Sequence, residues 1–149
     1  MLESFCLDNA DNCVLVDQSF SSAIEKAKSD SLLMLPLNVC DVITAQDEVY
    51  NEEFLASLRD EILQTTQDLQ NKFGSECQVR LFLCPQYENN SVVQVTEATK
   101  HAARRLKDCS LIQGIVIPST AEFMNEENMN FFVDEIRPKH KDYVFAILG

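Results

Sequence analysis

Short apolar runs alternate with longer segments of helical periodicity along almost the whole chain, and this alternation is the feature that most constrains the fold. Strands separated by helices at this spacing imply parallel βαβ crossovers. The chain has 149 residues, 46% of them hydrophobic, which is enough for one domain with a single core. We therefore predict that residues 1–149 form one α/β domain, a three-layer α/β/α sandwich around five or six mostly parallel strands.

Six runs are predicted to be β-strands because they are short, apolar and rich in Val, Ile, Leu or Phe. They cover residues 13–17, 32–37, 78–84, 92–95, 111–117 and 143–148. Pro36 is expected to mark the end of the second strand, since proline has no N–H to donate to a strand ladder. Segments 38–50 and 86–91 are predicted to be irregular.

Four segments repeat apolar residues at helical spacing. The predicted helices cover residues 20–28, 51–73 and 96–107, with a fourth that begins after Asn125 and ends at Pro138. The clearest is 51–73, because Leu58, Ile62 and Leu69 belong to one apolar stripe and Gly74 provides a stop. The expected N-caps of the other three helices are Ser19 or Ser21, Thr96, and Asn125.

The charge is strongly acidic, with 24 Asp and Glu against 12 Lys and Arg, a net charge of −12 and a pI near 4.4. Such a surface repels phosphates and anionic membranes at long range, so general nucleic-acid binding is disfavoured. The chain contains neither a run of roughly 20 apolar residues that would cross a bilayer nor an N-terminal signal segment. We expect a cytoplasmic location and no membrane contact by this segment.

Six cysteines, at positions 6, 13, 40, 77, 84 and 109, form no CxxC pair and have no histidine at metal-ligand spacing. Most of them lie within apolar runs. We predict free, mostly buried thiols, without a disulfide and without a metal site.

Catalytic and cofactor-binding motifs are absent from the sequence. The three glycines, at 74, 114 and 149, are too dispersed to form a phosphate-binding loop. His101 and His140 have basic neighbours in the chain and no evident Cys or Ser partner, so neither is expected to be a catalytic base. We expect no cofactor and no enzymatic activity in this segment.

The order of elements, together with two groups of apolar runs, resembles macro domains. The matching segments are 11–16, 27–28 and 32–38 near the N-terminus and 115–123, 133–135 and 143–148 near the C-terminus. The chain is most similar to the macro-like modules in the papain-protease-bearing replicase subunit of coronaviruses, and segment 22–37 followed by the 51–73 helix resembles the middle module of the SARS-unique domain. The resemblance implies a macro-like segment of a larger viral non-structural protein in the host cytoplasm, whose parent chain carries protease activity.

Departures from the macro pattern lie where that family binds ADP-ribose. The family's Asn-Ala-Ala-Asn corresponds to Leu-Pro-Leu-Asn here, so only Asn38 is matched, and the following loop, 39–48, has no glycine. The family's second phosphate loop corresponds to Ser119–Phe123, where Glu122 brings a negative charge near the phosphate position. The resemblance implies Asn38, Ser119 and Phe123 as crevice residues, and we expect bulky side chains to fill that crevice.

The second half of the chain is nearly neutral, since residues 77–149 hold 9 acidic and 8 basic residues, whereas residues 1–76 hold 15 acidic and 4 basic ones. Four bases on the outward side of the predicted 96–107 helix and three that follow the next helix are candidates for contact with RNA phosphates. They are Lys100, Arg104, Arg105, Lys107, Arg137, Lys139 and Lys141. A solvated helix face that balances nearby acids explains the same pattern.

These observations favour a non-enzymatic macro-fold binding module that recruits a protein partner, or an RNA through the local basic face. Two alternatives remain open at this point. One is a macro domain that binds or hydrolyses ADP-ribose, and the other is a structural domain of a cytosolic adaptor.

Overall fold

The computed structural model of the chain describes residues 4–6, 12–17, 19–43 and 49–148. Six strands form one sheet in which every neighbouring pair is parallel. They are β1 Ser4–Cys6, β2 Cys13–Leu15, β3 Leu32–Asn38, β4 Arg80–Gln86, β5 Ile112–Val116 and β6 Val144–Ile147, in the sheet order β1-β6-β5-β4-β3-β2. The predicted fold class, α/β with a mostly parallel sheet of five or six strands, is confirmed.

Five α-helices connect or flank the described strands. They are α1 Phe20–Lys26, α2 Val39–Val42, α3 Glu52–Phe73, α4 Val92–Arg105 and α5 Glu126–Ile136. The 38–50 segment, which was predicted to be irregular, contains α2. Within it, Ile43 forms an antiparallel bridge with Tyr50. The rest of that segment, residues 44–48, lies outside the described residues.

The long helices line one face of the sheet. From β2 to β6 each crossover steps to the next strand in the same direction, and right-handed crossovers in one direction place their helices on one side. In agreement, α1 packs on α3, α3 on α4 and α4 on α5. The opposite face carries a second, smaller apolar cluster of strand residues, namely Leu32, Phe82, Val116 and Ala146. The main core therefore lies between the sheet and the long helices.

Strand β3 illustrates how the two faces differ. Leu33, Leu35 and Leu37 are buried in the main core, whereas Met34 and Pro36 point to the other face and are half-buried. Pro36 does not end the strand as predicted, because β3 continues to Asn38, which pairs in register with Gln86 of β4.

Helix α4 begins earlier than predicted. The run Val92–Val95 was expected to be a strand, yet it forms the first turn of α4, and Ser91 rather than Thr96 is the N-cap. The Ser91 hydroxyl accepts from the Gln94 N–H at 3.1 Å while the Gln94 side chain accepts from the Ser91 N–H at 2.9 Å, a reciprocal capping box. This cap and the burial of Val95 outweigh the β preference of the valines.

Helix α3 follows its sequence signals closely. The Asn51 side chain accepts from the Phe54 N–H at 3.1 Å, and Gly74 ends the helix with φ at 62°. The apolar stripe is buried, with Leu55, Ile62 and Leu69 each at most 1% exposed. The prediction for this helix is confirmed, with Asn51 as the cap rather than the first helical residue.

Lys72 near the end of α3 closes the C-terminus of α1. Its Nζ donates to the carbonyl oxygens of Ile24 at 2.6 Å and Ala27 at 3.2 Å at the end of the helix, where the Ile24 oxygen also accepts from the Ala27 N–H at 3.3 Å. We expect Lys72→Met to lower the free energy of unfolding by about 1–2 kcal/mol, since it leaves these carbonyls without their charged donor. Urea denaturation measures the change. Lys26→Met, at an exposed lysine of α1, is the control, and equal losses in the two variants would contradict the assignment.

Candidate functional site

An open crevice lies beyond the carboxyl ends of the strands. Its volume is ≈ 770 Å³, and it is lined by the ends of β3, β4 and β5, the loops that follow them, and Leu148 after β6. Parallel α/β sheets commonly bind ligands at this edge. The expectation that bulky side chains fill this region is wrong, because a crevice of this volume lies between the loops that carry them.

Carboxamides dominate the polar lining of the crevice. Five Asn or Gln residues contribute to it, namely Asn38, Gln86, Asn89, Asn90 and Gln94. Hydroxyls of Tyr87, Ser119 and Thr120 add donors and acceptors, and Ile43 and Ile117 provide apolar surface. Among the described residues that line the crevice there is no Lys, Arg or His, and Glu88 is the charged one. The lining therefore offers neutral hydrogen bonds and negative charge.

Tyr87 joins the two loops that flank the crevice. Its hydroxyl oxygen lies 2.5 Å from Thr120 Oγ1 and donates to Glu122 Oε1 at 3.1 Å. Burial and the neighbouring Glu122 raise the pKa of Tyr87, while the bond to Thr120 opposes the shift. The phenol consequently stays protonated and acts as a hydrogen-bond donor between the loops.

The N-terminus of α4 opens towards the crevice but is already occupied. Gln94 lines the crevice and, with Ser91, forms the capping box that satisfies two of the free N–H groups. A free helix N-terminus attracts anions, because its N–H groups and dipole are positive. Here the cap competes with an anionic ligand for the same donors.

The three residues that the macro resemblance implies take different positions. Asn38 and Ser119 line the crevice and are exposed. The Asn38 amide lies 3.5 Å from the Asp41 carboxylate and makes no cap hydrogen bond to α2. Phe123 lies behind the crevice rather than in it, since its ring is fully buried in edge-to-face contact with the Tyr87 ring, 5.6 Å between centroids. It supports the wall instead of contacting a ligand.

Two thiols, Cys40 and Cys84, also line the crevice. Cys40 is exposed, whereas burial and then the nearby Cys13 raise the pKa of Cys84 to about 12. The Cys84 thiol is 3.7 Å from the Phe82 carbonyl oxygen, to which it donates. The five cysteines whose side chains are described are free, and the side chain of Cys6 lies outside the described residues.

We expect these thiols to differ sharply in reactivity. In the folded protein a thiol reagent at pH 8 should modify Cys40 first and Cys84 at least about a hundredfold more slowly, because the thiolate is the reactive species. Cys109 should also be slow, since burial raises its pKa. After denaturation all six thiols should titrate. Mass spectrometry of the modified, non-reduced protein measures the order, and a native disulfide would contradict the prediction.

The predicted basic face is partly neutralised by acids of neighbouring helices. Lys100 pairs with Glu135 of α5 at 3.2 Å, and Arg105 pairs with Glu52 of α3 at 2.7 Å. The Arg137 guanidinium lies over the Phe145 ring, 5.3 Å from its centroid. Lys100 and Arg105 connect neighbouring helices, Arg137 packs on a strand residue, and all three are less available to phosphates.

The remaining basic candidates are Arg104, Lys107, Lys139 and Lys141, all exposed. Lys107 approaches the segment after α5 closely enough that its charge lowers the pKa of His140. The fold therefore brings the end of α4 close to the 139–141 segment. This group lies apart from the crevice lining.

His101 belongs to a structural contact between α3 and α4. Its Nε2 lies 2.5 Å from Glu52 Oε1, and its ring stacks on Tyr50 with 3.8 Å between centroids. The hydrogen bond from His101, with the charge of Arg105, lowers the pKa of Glu52. The position supports the expectation that His101 is not paired with a nucleophile.

His140 gives the protein an acid-sensitive position. It is 8% exposed, stacks on Tyr143, and its Nε2 is buried without a hydrogen-bond partner among the described residues. Burial, and then Lys107, lower its pKa. The unfolded chain then binds the proton more readily, so this contribution to stability is present above about pH 6.5 and is lost as the pH falls towards the folded pKa.

We therefore expect His140→Phe to lose less stability than the parent protein between pH 7 and pH 5, because phenylalanine has no proton to bind. Urea denaturation at each pH measures this difference. Tyr143→Phe is the control, since it keeps the imidazole and should retain the parent pH dependence. A His140→Phe variant with an unchanged pH profile would contradict the assignment.

Sequence reasoning missed Tyr87 and the carboxamides that follow β4. The available signals were the polar 86–91 segment at a strand end and the Ser91-x-x-Gln94 pattern of a capping box. Within the described ranges, no cluster of three or more His, Cys, Asp or Glu residues is arranged to hold a metal ion. No helix in the same ranges has the length and hydropathy of a membrane span.

The chain was also compared with known proteins. No family model, no curated protein and no solved structure matches this chain. The resemblance to macro domains accordingly stays a prediction that rests on element order and short apolar runs.

Proposed function

We propose that this chain is a non-enzymatic binding module that holds part of a protein partner in the crevice at the carboxyl edge of its sheet. The observation that carries the proposal is the open crevice of ≈ 770 Å³, whose polar lining consists mainly of carboxamides and hydroxyls. A peptide presents backbone N–H and C=O groups, and carboxamides complement both kinds of group. The volume lies within the range of ordinary ligand sites.

The ionisation of two crevice side chains, Cys84 and Tyr87, argues against their use as a nucleophile or general base. A nucleophile or general base needs its reactive form near neutral pH. The pKa of Cys84 is raised to about 12 and that of Tyr87 is raised as well, so both keep their protons. His101 and His140 lie outside the described lining.

A protein partner is favoured over RNA and over ADP-ribose by the charges. The described lining has no basic side chain, whereas phosphates need positive charge or free N–H groups. Two of the seven basic candidates are in ion pairs with Glu52 and Glu135. In terms of the resemblance, the proposal is that the chain is a macro-like module of a viral replicase protein and recruits a partner.

Site-specific photo-cross-linking tests the proposal. A photoreactive amino acid replaces Ser119 in the crevice or, as a matched control, Ser57 on the exposed face of α3. In extract of the cells that make the protein, we expect a discrete protein adduct from position 119 only. Asn89→Trp, which fills the crevice from an exposed loop position, should remove that adduct.

Two results would contradict the protein-partner assignment. One is saturable binding of ADP-ribose with a Kd below about 100 μM, which corresponds to roughly −5.5 kcal/mol. The other is retention of poly(A) or G-rich RNA at roughly 50 mM salt that is lost when Lys100, Arg104 and Lys107 are changed to Glu. The second result would identify the basic group as the functional surface.

A further inference from the structure

The walls of the crevice differ in charge from an anion-binding site. Glu88 lines the crevice, and Glu122 is held beside it by the Tyr87 hydroxyl, 3.1 Å from its Oε1. Asp41 follows Asn38 at the opposite side and accepts from its amide. No basic side chain occurs among the described lining residues to offset these carboxylates.

Two further features of the protein favour a positively charged ligand over an anion. At the N-terminus of α4, which would otherwise favour an anion, the capping box of Ser91 and Gln94 already engages two N–H groups. The chain as a whole has a net charge of −12, so its long-range field is also negative. An incoming positive charge therefore meets favourable potentials both at the lining and at longer range.

We infer that the partner segment bound in the crevice is an extended polar peptide with a Lys or Arg side chain directed at Glu88 and Glu122. This inference rests on the proposed binding function and specifies its ligand chemistry. The carboxamides of both walls bond the peptide backbone, and Tyr87 adds an aromatic ring beside the cation. Arginine matches the site better than lysine does, because its planar fork reaches two acceptors at once.

The test uses three capped tripeptides and the full chain labelled with ¹⁵N. The probes are N-acetyl Ser-Arg-Ser amide, its citrulline analogue, which is a neutral isostere of arginine, and its Glu analogue. NMR titration at low salt should show shifts of crevice amides, with the Arg peptide bound about 3- to 10-fold more tightly than the citrulline peptide. The Glu peptide should bind most weakly.

Charge-neutral variants separate a local effect from the overall acidity. In the double variant Glu88→Gln with Glu122→Gln the Arg-to-citrulline ratio should fall to near 1, while Gln at 122 still accepts from Tyr87. Glu61→Gln, on the exposed face of α3, removes the same kind of charge elsewhere and should leave the ratio unchanged. A ratio that falls equally in both variants would overturn the inference.

Other outcomes distinguish this inference from the proposed function. Equal crevice affinity for the Arg and citrulline peptides, or tightest binding of the Glu peptide, overturns the charge preference and leaves the binding function intact. No crevice shift with any peptide, combined with a protein adduct at position 119, overturns the inference alone. No crevice shift and no adduct overturn both.

Discussion

Gly114→Ala should lower the free energy of unfolding by about 3 kcal/mol, a large effect for the addition of one methyl group. Gly114 lies in β5 between Phe82 of β4 and Val144 of β6 in the sheet register. A Cβ at this position would overlap the Val144 carbonyl oxygen and come within 2.7 Å of the Phe82 ring. Since the first of these atoms is backbone, relief requires separation of β5 from β6.

Thermal and urea denaturation measure this loss. Gln113→Ala is the matched control, because Gln113 is the neighbour of Gly114 in β5 and its side chain is exposed. We expect that variant to stay within about 0.5 kcal/mol of the parent protein. A Gly114→Ala protein as stable as Gln113→Ala would refute the close approach of the two strands.

Phe132→Ala should lower the free energy of unfolding by about 3–5 kcal/mol. The Phe132 ring is fully buried on α5 and makes edge-to-face contacts with Phe123 at 5.7 Å and Phe145 at 6.2 Å between centroids. Its removal leaves a cavity and also loses the two aromatic contacts. Because Phe123 in turn supports Tyr87, the crevice wall should loosen as well.

Two comparisons make this prediction specific. Phe131→Ala changes the adjacent, half-buried ring and should cost less than about half as much. Phe132→Leu keeps most of the volume and should fall between the parent protein and the alanine variant. Urea denaturation gives the energies, and chemical shifts of the Tyr87 and Thr120 amides report on the crevice. Equal losses of stability at positions 131 and 132 would contradict the role of the Phe132 contacts with Phe123 and Phe145.

Many of the helices and strands could be predicted from residues that are close together in the sequence. The α3 helix was predictable because its N-terminal Asn, its apolar stripe and Gly74 all act within a few positions of one another. The Val92–Val95 segment was mispredicted because its composition favours a strand, while the Ser91 and Gln94 cap decides the conformation. Local signals compete there, and the stronger one is a pair of hydrogen bonds rather than a pattern of side chains.

The candidate site was predictable in location but less so in content. Parallel strands imply a crevice at their carboxyl ends, and the resemblance to macro domains implied Asn38 and Ser119 as crevice residues, which both line it. The resemblance implied Phe123 too, but it lies behind the wall, and Tyr87 was missed. Which of two neighbouring side chains faces a crevice depends on how separate loops pack, and no local pattern specifies that packing.

By itself the sequence determined the α/β class, most of the helices and strands and the acidity of the first half, since periodicity, caps and charge depend on residues close together in the chain. The tertiary structure decided which bases are neutralised, because Lys100 with Glu135 and Arg105 with Glu52 meet only when helices from different crossovers pack together. It also decided that the crevice is open and carries carboxamides and carboxylates. Those side chains come from the ends of three strands, and the order of strands in the sheet brings them together.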